Sequence, residues 1–284
     1  MTVTAPAPSD RDAAVAAPGG GVRARAELAL AAVGGRTSWG RARCEPPLTF
    51  RAIRPGGPGV HLAWVSTAAG PIGGDDLTVA LDVDDGADVT ITSTGAALAL
   101  PGPHGERSRL AIEAAVGASA SLTWRPEPTI VAAGADHEAV TRLRAAPGSS
   151  VTWVDELVLG RHGEAPGRCR SRLAVDVGTT PALRTGLDVG APGWDGPAGL
   201  GGARYVAQVL VLVASGAPGA PALDRPPRHD GAVRASTTRL GAAGAWLRTI
   251  VAHDVLAGRD EVAASLGDGP PPASRTSGGA GRPR

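Results

Sequence analysis

From Val22 the chain alternates: Val22, Ala24, Ala26, Leu28 and Leu30 are apolar, while Arg23, Arg25 and Glu27 point the other way. A period of two is the signature of a half-buried β-strand. Gly34-Gly35 supplies the positive-φ residues of a tight turn, and Thr37, Trp39 and Arg41 begin a return strand, so the folded part opens with a hairpin. Further on, Leu77 to Val83, Leu110 to Val116 and Val140 to Ala145 alternate in the same way. Each runs into a glycine-containing turn, after which a second alternating strand follows. Gly86, Gly117 and Gly148 are 31 residues apart, which makes the unit strand, glycine turn, strand, then a longer connection. One such unit cannot bury its apolar face alone, but three in register form a continuous core. The expectation is a mainly β protein with a layered, β-helix-like fold of stacked strand-turn-strand units. An ordinary antiparallel meander with evenly spaced hairpins is the simpler alternative.

Helix signals are few. Between Asp254 and Leu266, Val255, Leu256, Val262 and Leu266 fall at mixed helical spacings, with Asp254 as N-cap and Gly267 as stop; Gly258 weakens the pattern. A small C-terminal helical part is therefore expected. Residues 1–21 and 268–284 are rich in Ala, Pro, Gly, Ser and Arg, bury too little apolar surface to offset ordering entropy, and are expected to be disordered tails around a β domain at 22–267.

Composition narrows function by exclusion. Twenty-eight basic residues against 27 acidic ones leave a net charge of +1, with no field to attract nucleic acid or an anionic membrane. Every basic residue is Arg, which excludes Schiff-base chemistry and a Walker-type phosphate lysine. Cys44 and Cys169 stand far apart and form no metal-ligand pair; they read as buried or idle thiols. The start lacks a secretory pattern and the apolar run near Val206 to Ala214 is too short to span a bilayer, so the chain is expected to be cytoplasmic. The six histidines are scattered singly, and no catalytic motif names an enzyme. Six of the eight aromatic residues are Trp, and Trp64, Trp124 and Trp153 end strands that follow turns, where they read as packing residues.

Three segments break the β pattern with unusual chemistry. Gly70 to Leu77 places Asp75 and Asp76 at the head of a strand, either as a solvated turn tip or as an oxygen-ligand loop. In Trp124 to Ile130, two prolines lock Glu127 between them. Val151 to Arg161 interrupts an apolar strand with Asp155 and Glu156, one of which must point inward unless a bulge resets the alternation. A buried carboxylate is either paired or functional.

These segments, in this order, resemble the urease accessory protein D family, called H in some organisms. That family carries a Gly-Gly-Asp loop leading into a strand, a Pro-Glu-Thr-Ile-like stretch followed by Gly-Ala, and a Trp-Glu-containing strand ending in Leu-Gly-Arg. The matching stretches are Gly70 to Leu77, Pro126 to Ala135 and Trp153 to Arg161, with the opening hairpin and Cys44 to Leu48 also fitting. The resemblance runs from about Val22 to Val213. The chain departs where Asp76 replaces the family's usual basic residue, where Ala132-Ala133 replace an aromatic before Gly134, and where Val154-Asp155 separate Trp153 from Glu156.

The resemblance implies a non-enzymatic scaffold or chaperone subunit for urease maturation. It implies assembly with the accessory F protein and the G-type GTPase, docking on apo-urease, and nickel held in transit with no tightly bound cofactor. Asp75, Asp76, Glu127 and Glu156 are the candidates for a polar nickel path, since an ion that must move on suits scattered carboxylates better than a Cys/His cage. Two other readings compete: a stand-alone β-solenoid binding module without a metal role, and a carbohydrate-active enzyme using two carboxylates as acid and base.

Overall fold

A computed structural model describes residues 15–16, 20–53, 57–213, 223, 225–241 and 244–268. In chain order, β1 (Val15–Ala16), β2 (Val22–Val33), β3 (Arg36–Cys44), β4 (Leu48–Ile53) and β5 (Val60–Ser66) open the fold. The repeated middle comprises β6 (Asp76–Val83), β7 (Asp88–Ser93), β8 (Ala97–Ala99), β9 (Ser108–Val116), β10 (Ser121–Arg125), β11 (Thr129–Val131), β12 (Asp136–Ala145) and β13 (Ser150–Leu159). The chain then adds β14 (Arg168–Val177), β15 (Thr180–Val189), β16 (Tyr205–Leu212), β17 (Arg228–His229), β18 (Val233–Arg239), β19 (Ala245–Ala252) and α1 (Val255–Leu266).

Two sheets face each other. The first runs β1-β2-β6-β9-β12-β14-β15, with β3 on the free side of β2; the second runs β17-β18-β19-β16-β13-β10-β7-β5-β4, with β8 and β11 attached. The central neighbours β2-β6-β9-β12-β14 and β5-β7-β10-β13 pair in parallel, so the chain climbs in stacked coils rather than in a meander. Parallel neighbours need a crossover, and here each coil crosses to the opposite sheet and back.

The alternating residues of the opening hairpin do as their pattern predicts. Ala24, Ala26, Leu28 and Leu30 are buried, joining Leu77, Val79, Leu81, Leu110, Leu143 and Leu173 of the first sheet. From the second sheet Leu62, Ile91, Leu122, Trp124, Val151 and Trp153 complete the same cluster. Trp124 and Trp153 occupy equivalent places in adjacent coils and stack with ring centroids 4.9 Å apart, and Trp64 extends the row at 5.7 Å from Trp124. The tryptophans are thus core packing, as expected.

The coil register corrects the 31-residue glycine spacing. Asp88, Ser121 and Ser150 stand side by side, giving steps of 33 and 29 residues. The true counterpart of Gly86 and Gly148 is therefore Ser119, two residues beyond Gly117. All three have positive φ (70°, 56° and 84°), and Gly117 is not among the positive-φ residues. Each occupies the third position of a turn closed by a backbone bond, from Ala87 to Asp84, Ala120 to Gly117 and Ser149 to Ala146.

A second apolar layer covers the outer face of the second sheet. Val154, Val209, Ile250 and Ala235 pack there with Val262 of α1. That is why β16 reads as one continuous apolar run: both its faces are covered. The helix has the caps its sequence predicts, with Ala257 N donating to Asp254 Oδ1 at 2.9 Å and Gly267 left-handed at φ 83°. Gly258 is required by packing, since a Cβ there would lie 2.3 Å from Tyr205 Cδ1. Beneath α1, Arg248 and Glu261, each 1% exposed, pair at 2.6 Å, and Arg228 adds a second bond to Glu261 at 2.8 Å. These bonds to Arg228 and Arg248 outweigh burial and hold the Glu261 carboxyl below its ordinary range.

The expected tails lie mostly outside the described residues. Within the N-terminal one, Val15–Ala16 forms a short antiparallel pairing with Val22 and Arg23, a strand that the expectation of disorder over 1–21 did not include. Among the described residues no helix is long and apolar enough to cross a membrane.

Candidate functional site

The coils are regular at the turn end and irregular at the other. There the backbone of Trp124-Arg125-Pro126-Glu127-Pro128 interrupts the second sheet. β10 pairs with β13 as far as Trp124 and Trp153, and pairing resumes only at Thr129 of β11 and Leu157. Residues 125–128 therefore leave Val154, Asp155 and Glu156 bonded on one side only, to β16. Two prolines lack the N–H needed to close the ladder, and Glu127 N donates instead to Ser93 Oγ at 2.8 Å.

A cavity of about 410 Å³ lies against this gap. Its wall includes Asp75, Glu127, His137, Asp155 and Glu156, together with small residues of the loops after β5 and β7. Asp155 and Glu156 are sequence neighbours and leave β13 on opposite faces. Asp155 follows Trp153 toward the space between the sheets, while Glu156 lies on the side of Val154 and α1. Both border the same cavity at the gap.

Sequence reasoning anticipated one inward carboxylate; the structure places both at the cavity wall, Glu156 buried and Asp155 half-buried, because β13 is covered on both faces. Burial pushes the Asp155 carboxyl up to about 6. Glu156, 7% exposed, is also raised by burial, against a hydrogen bond from the Tyr205 hydroxyl and the charge of Arg259. The same burial, next to the Glu156 charge, raises Tyr205 strongly, so it stays a neutral donor.

Asp75 has a structural task at the cavity wall. Its two oxygens accept the backbone N–H groups of Val22 and Ile72, both at 2.8 Å, which ties the Gly70-to-Leu77 loop to the first strand. Asp76 is not brought to the cavity. Alternation turns it to the outer face of the first sheet, where it pairs with Arg109 at 3.1 Å. Glu127 reaches Arg259 of α1 in a two-pronged pair, at 2.8 and 3.0 Å, and Arg259 Nε lies 3.6 Å from Glu156 Oε2.

Four participants escaped sequence reasoning: Asp155 as a cavity residue, His137, Tyr205 and Arg259. His137 is fully buried; its Nδ1 is 2.9 Å from Ser108 Oγ, and Nε2 has no hydrogen-bond partner among the described residues. Burial lowers its imidazole to about 4, so it is neutral at physiological pH. Cys169, its neighbour across the sheet, is buried with its thiol pushed up to about 12, an inert thiol rather than a ligand. Among the described residues no three His, Cys, Asp or Glu side chains converge closely enough to hold a metal ion together. The arrangement is a cavity bordered by separated polar side chains.

With this geometry in place, sequence comparison decides the family. The family model described as "UreD urease accessory protein" matches residues 22–266, which extends beyond Val213 and takes in α1. The chain belongs to the UreD urease accessory protein family. It is 38% identical over 256 residues to "Urease accessory protein UreD" of Streptomyces avermitilis, covering 87% of this chain and 98% of that protein. It is 35% identical to "Urease accessory protein UreD 1" of Saccharopolyspora erythraea, covering 88% of this chain and 96% of the relative. A Streptomyces coelicolor UreD is 39% identical over 197 residues, covering 68% and 78%. UreD membership assigns the chain a role in urease maturation.

Proposed function

We propose that this chain is a non-enzymatic cytoplasmic subunit of the urease maturation machinery, which docks on apo-urease with the accessory F protein and the G-type GTPase and lets nickel pass through itself. Family membership over residues 22–266 carries the reading. The cavity supports it, since it lies at the gap in the second sheet and is edged by Asp75, Glu127 and Glu156 from the sequence-derived set, with Asp155 added. An ion in transit must never be held by a complete ligand set. A hydrated Ni²⁺ meeting one or two oxygen donors at a time is bound weakly, because Ni²⁺ prefers nitrogen and softer ligands. Asp76 takes no part in this path, as Arg109 holds it on the outer face.

The decisive experiment co-expresses apo-urease and the F and G accessory proteins with and without this chain, reading urease activity and bound nickel. Loss of both on omission is the expected result. Full activity and full nickel content without the chain would overturn the maturation role and favour a stand-alone β-solenoid binding module.

A further inference from the structure

The carboxylates at the gap already hold a cation, and the protein itself supplies it. Arg259 projects from α1 onto Glu127 through both guanidinium prongs and approaches Glu156 at 3.6 Å. Glu127 belongs to the Pro-locked segment of the second sheet and Glu156 to the strand across the gap, so one guanidinium spans the opening. Glu156 is 3% exposed in its side chain, whereas Arg259 is 40% exposed and can leave toward water on its flexible stem. A separate feature marks the space behind the opening as a place for a ligand: the buried His137 ring at the cavity wall leaves Nε2 without a hydrogen-bond partner among the described residues.

We propose that Arg259 is a displaceable gate, whose place between Glu127 and Glu156 is taken by Ni²⁺ on its way into the cavity toward Asp155 and His137. This rests on the nickel-passage reading above and adds its control. Two carboxylates with one guanidinium carry a net charge of −1; exchanging it for a divalent ion neutralises the pair and frees the arginine to solvent. The exchange sacrifices a two-pronged, charge-assisted pair, so only a cation that gains more from the new donors opens the gate. Ni²⁺ stands high in the order of divalent affinities and takes imidazole as well as carboxylate, whereas Mg²⁺ gains little beyond oxygen and water ligands. The neutral imidazole of His137 then offers a nitrogen beyond the gate, the donor type that Ni²⁺ favours over oxygen.

The test measures Ni²⁺ binding to the full chain by equilibrium dialysis, for wild type, Arg259→Gln, Arg259→Lys and the Glu127→Gln/Glu156→Gln double variant. Removing the resident charge in Arg259→Gln is expected to tighten Ni²⁺ binding by about tenfold or more, as expected when over nine-tenths of molecules hold the gate closed. Arg259→Lys retains the charge and stays near wild type. Unchanged or weaker binding by folded Arg259→Gln overturns the gate. Should that variant not fold, hydrogen exchange on the wild type decides: Ni²⁺, and not Mg²⁺, is expected to speed exchange around residue 259, and equal exchange with either ion overturns the proposal. If the double carboxylate variant loses Ni²⁺ binding and urease activation while Arg259→Gln matches wild type, the path stands and the gate falls. If the double variant loses neither, the path itself falls and takes the gate with it.

Discussion

The two ends of the same parallel coils are built on opposite principles. At the turn end, Gly86, Ser119 and Gly148 close three turns of equal form, and the strands leaving them bury Val89, Leu122 and Val151 in register. At the other end the ladder opens at Pro126-Glu127-Pro128, and the space between the sheets is bordered by carboxylates and a neutral imidazole. The first arrangement maximises apolar burial and repeats; the second gives up ladder bonds and burial at one coil. Polar groups at a gap are costly unless they serve a purpose, and the difference shows where the fold yields stability to function.

That contrast is broken most severely on the packed side. Trp153→Ala removes the end member of the tryptophan row, fully buried and stacked on Trp124, and is expected to cost about 3–5 kcal/mol in chemical denaturation. A loss below about 1 kcal/mol would mean that the site collapses around the missing ring and that the row is not the core's keystone.

On the polar side the signs reverse. Asp155 has its folded value raised to about 6, so the folded state holds its proton more tightly than the unfolded chain, and stability falls as pH rises from about 4 to 6. Asp155→Asn is therefore expected to stabilise the protein at pH 7.5, on the order of 2 kcal/mol, with the gain vanishing below about pH 4. His137 runs the other way: its folded value is lowered to about 4, so its contribution is present above pH 6.5 and is lost as pH falls toward 4. His137→Asn should flatten that loss. Measured as differences from wild type across pH 4 to 7, the two variants should slope in opposite directions, and parallel slopes would refute the assignment of both groups to the cavity wall.

The helix that covers the gap provides a third comparison, between propensity and packing. Alanine is a better helix former than glycine by about 1 kcal/mol. At residue 258 that gain is overridden, because the new Cβ would lie 2.3 Å from the Tyr205 ring, and α1 must shift outward. Gly258→Ala is expected to destabilise by about 1–2 kcal/mol net, as overpacking does. A stabilised variant would show that α1 rests loosely on Tyr205, which would also loosen the placing of Arg259.

Much of this was legible in the chain beforehand, for physical reasons. Alternation and turn residues act locally, so the hairpin at Gly34-Gly35, the layered β fold and the caps Asp254 and Gly267 could all be read from near neighbours. Glu127 between its prolines and the paired Asp155-Glu156 stood out because each violates its local pattern. Arg259 did not, since nothing in a solvent-facing helical arginine announces a carboxylate 132 residues away. His137 was equally silent: its neighbours Ser108 and Cys169 come from other coils. Asp76 stands apart from the cavity for the opposite reason, as adjacency to Asp75 in sequence means the opposite face in a strand.

The coil register is the instructive case, because the even glycine spacing pointed to the wrong residue. Turn geometry requires positive φ at the third position, and the middle coil meets that requirement with Ser119 at φ 56°. A non-glycine residue there carries a left-handed penalty of roughly 1–2 kcal/mol, reduced by the larger entropy that glycine loses on folding. Ser119→Gly is thus expected to stabilise the chain by about 0.5–1 kcal/mol, read as a small rise in denaturation midpoint with unchanged slope. Gly117→Ala tests the same register from the other side. Residue 117 has no need of positive φ, but a Cβ there would sit 2.7 Å from Asp85 N and 2.4 Å from Asp85 Oδ1 of the preceding coil. It should destabilise by crowding between coils rather than by backbone strain. If Ser119→Gly were harmful while Gly117→Ala cost as much as Gly86→Ala and Gly148→Ala, the left-handed turn position would belong to Gly117 after all, and the 33- and 29-residue steps of the coils would have to be redrawn as two of 31.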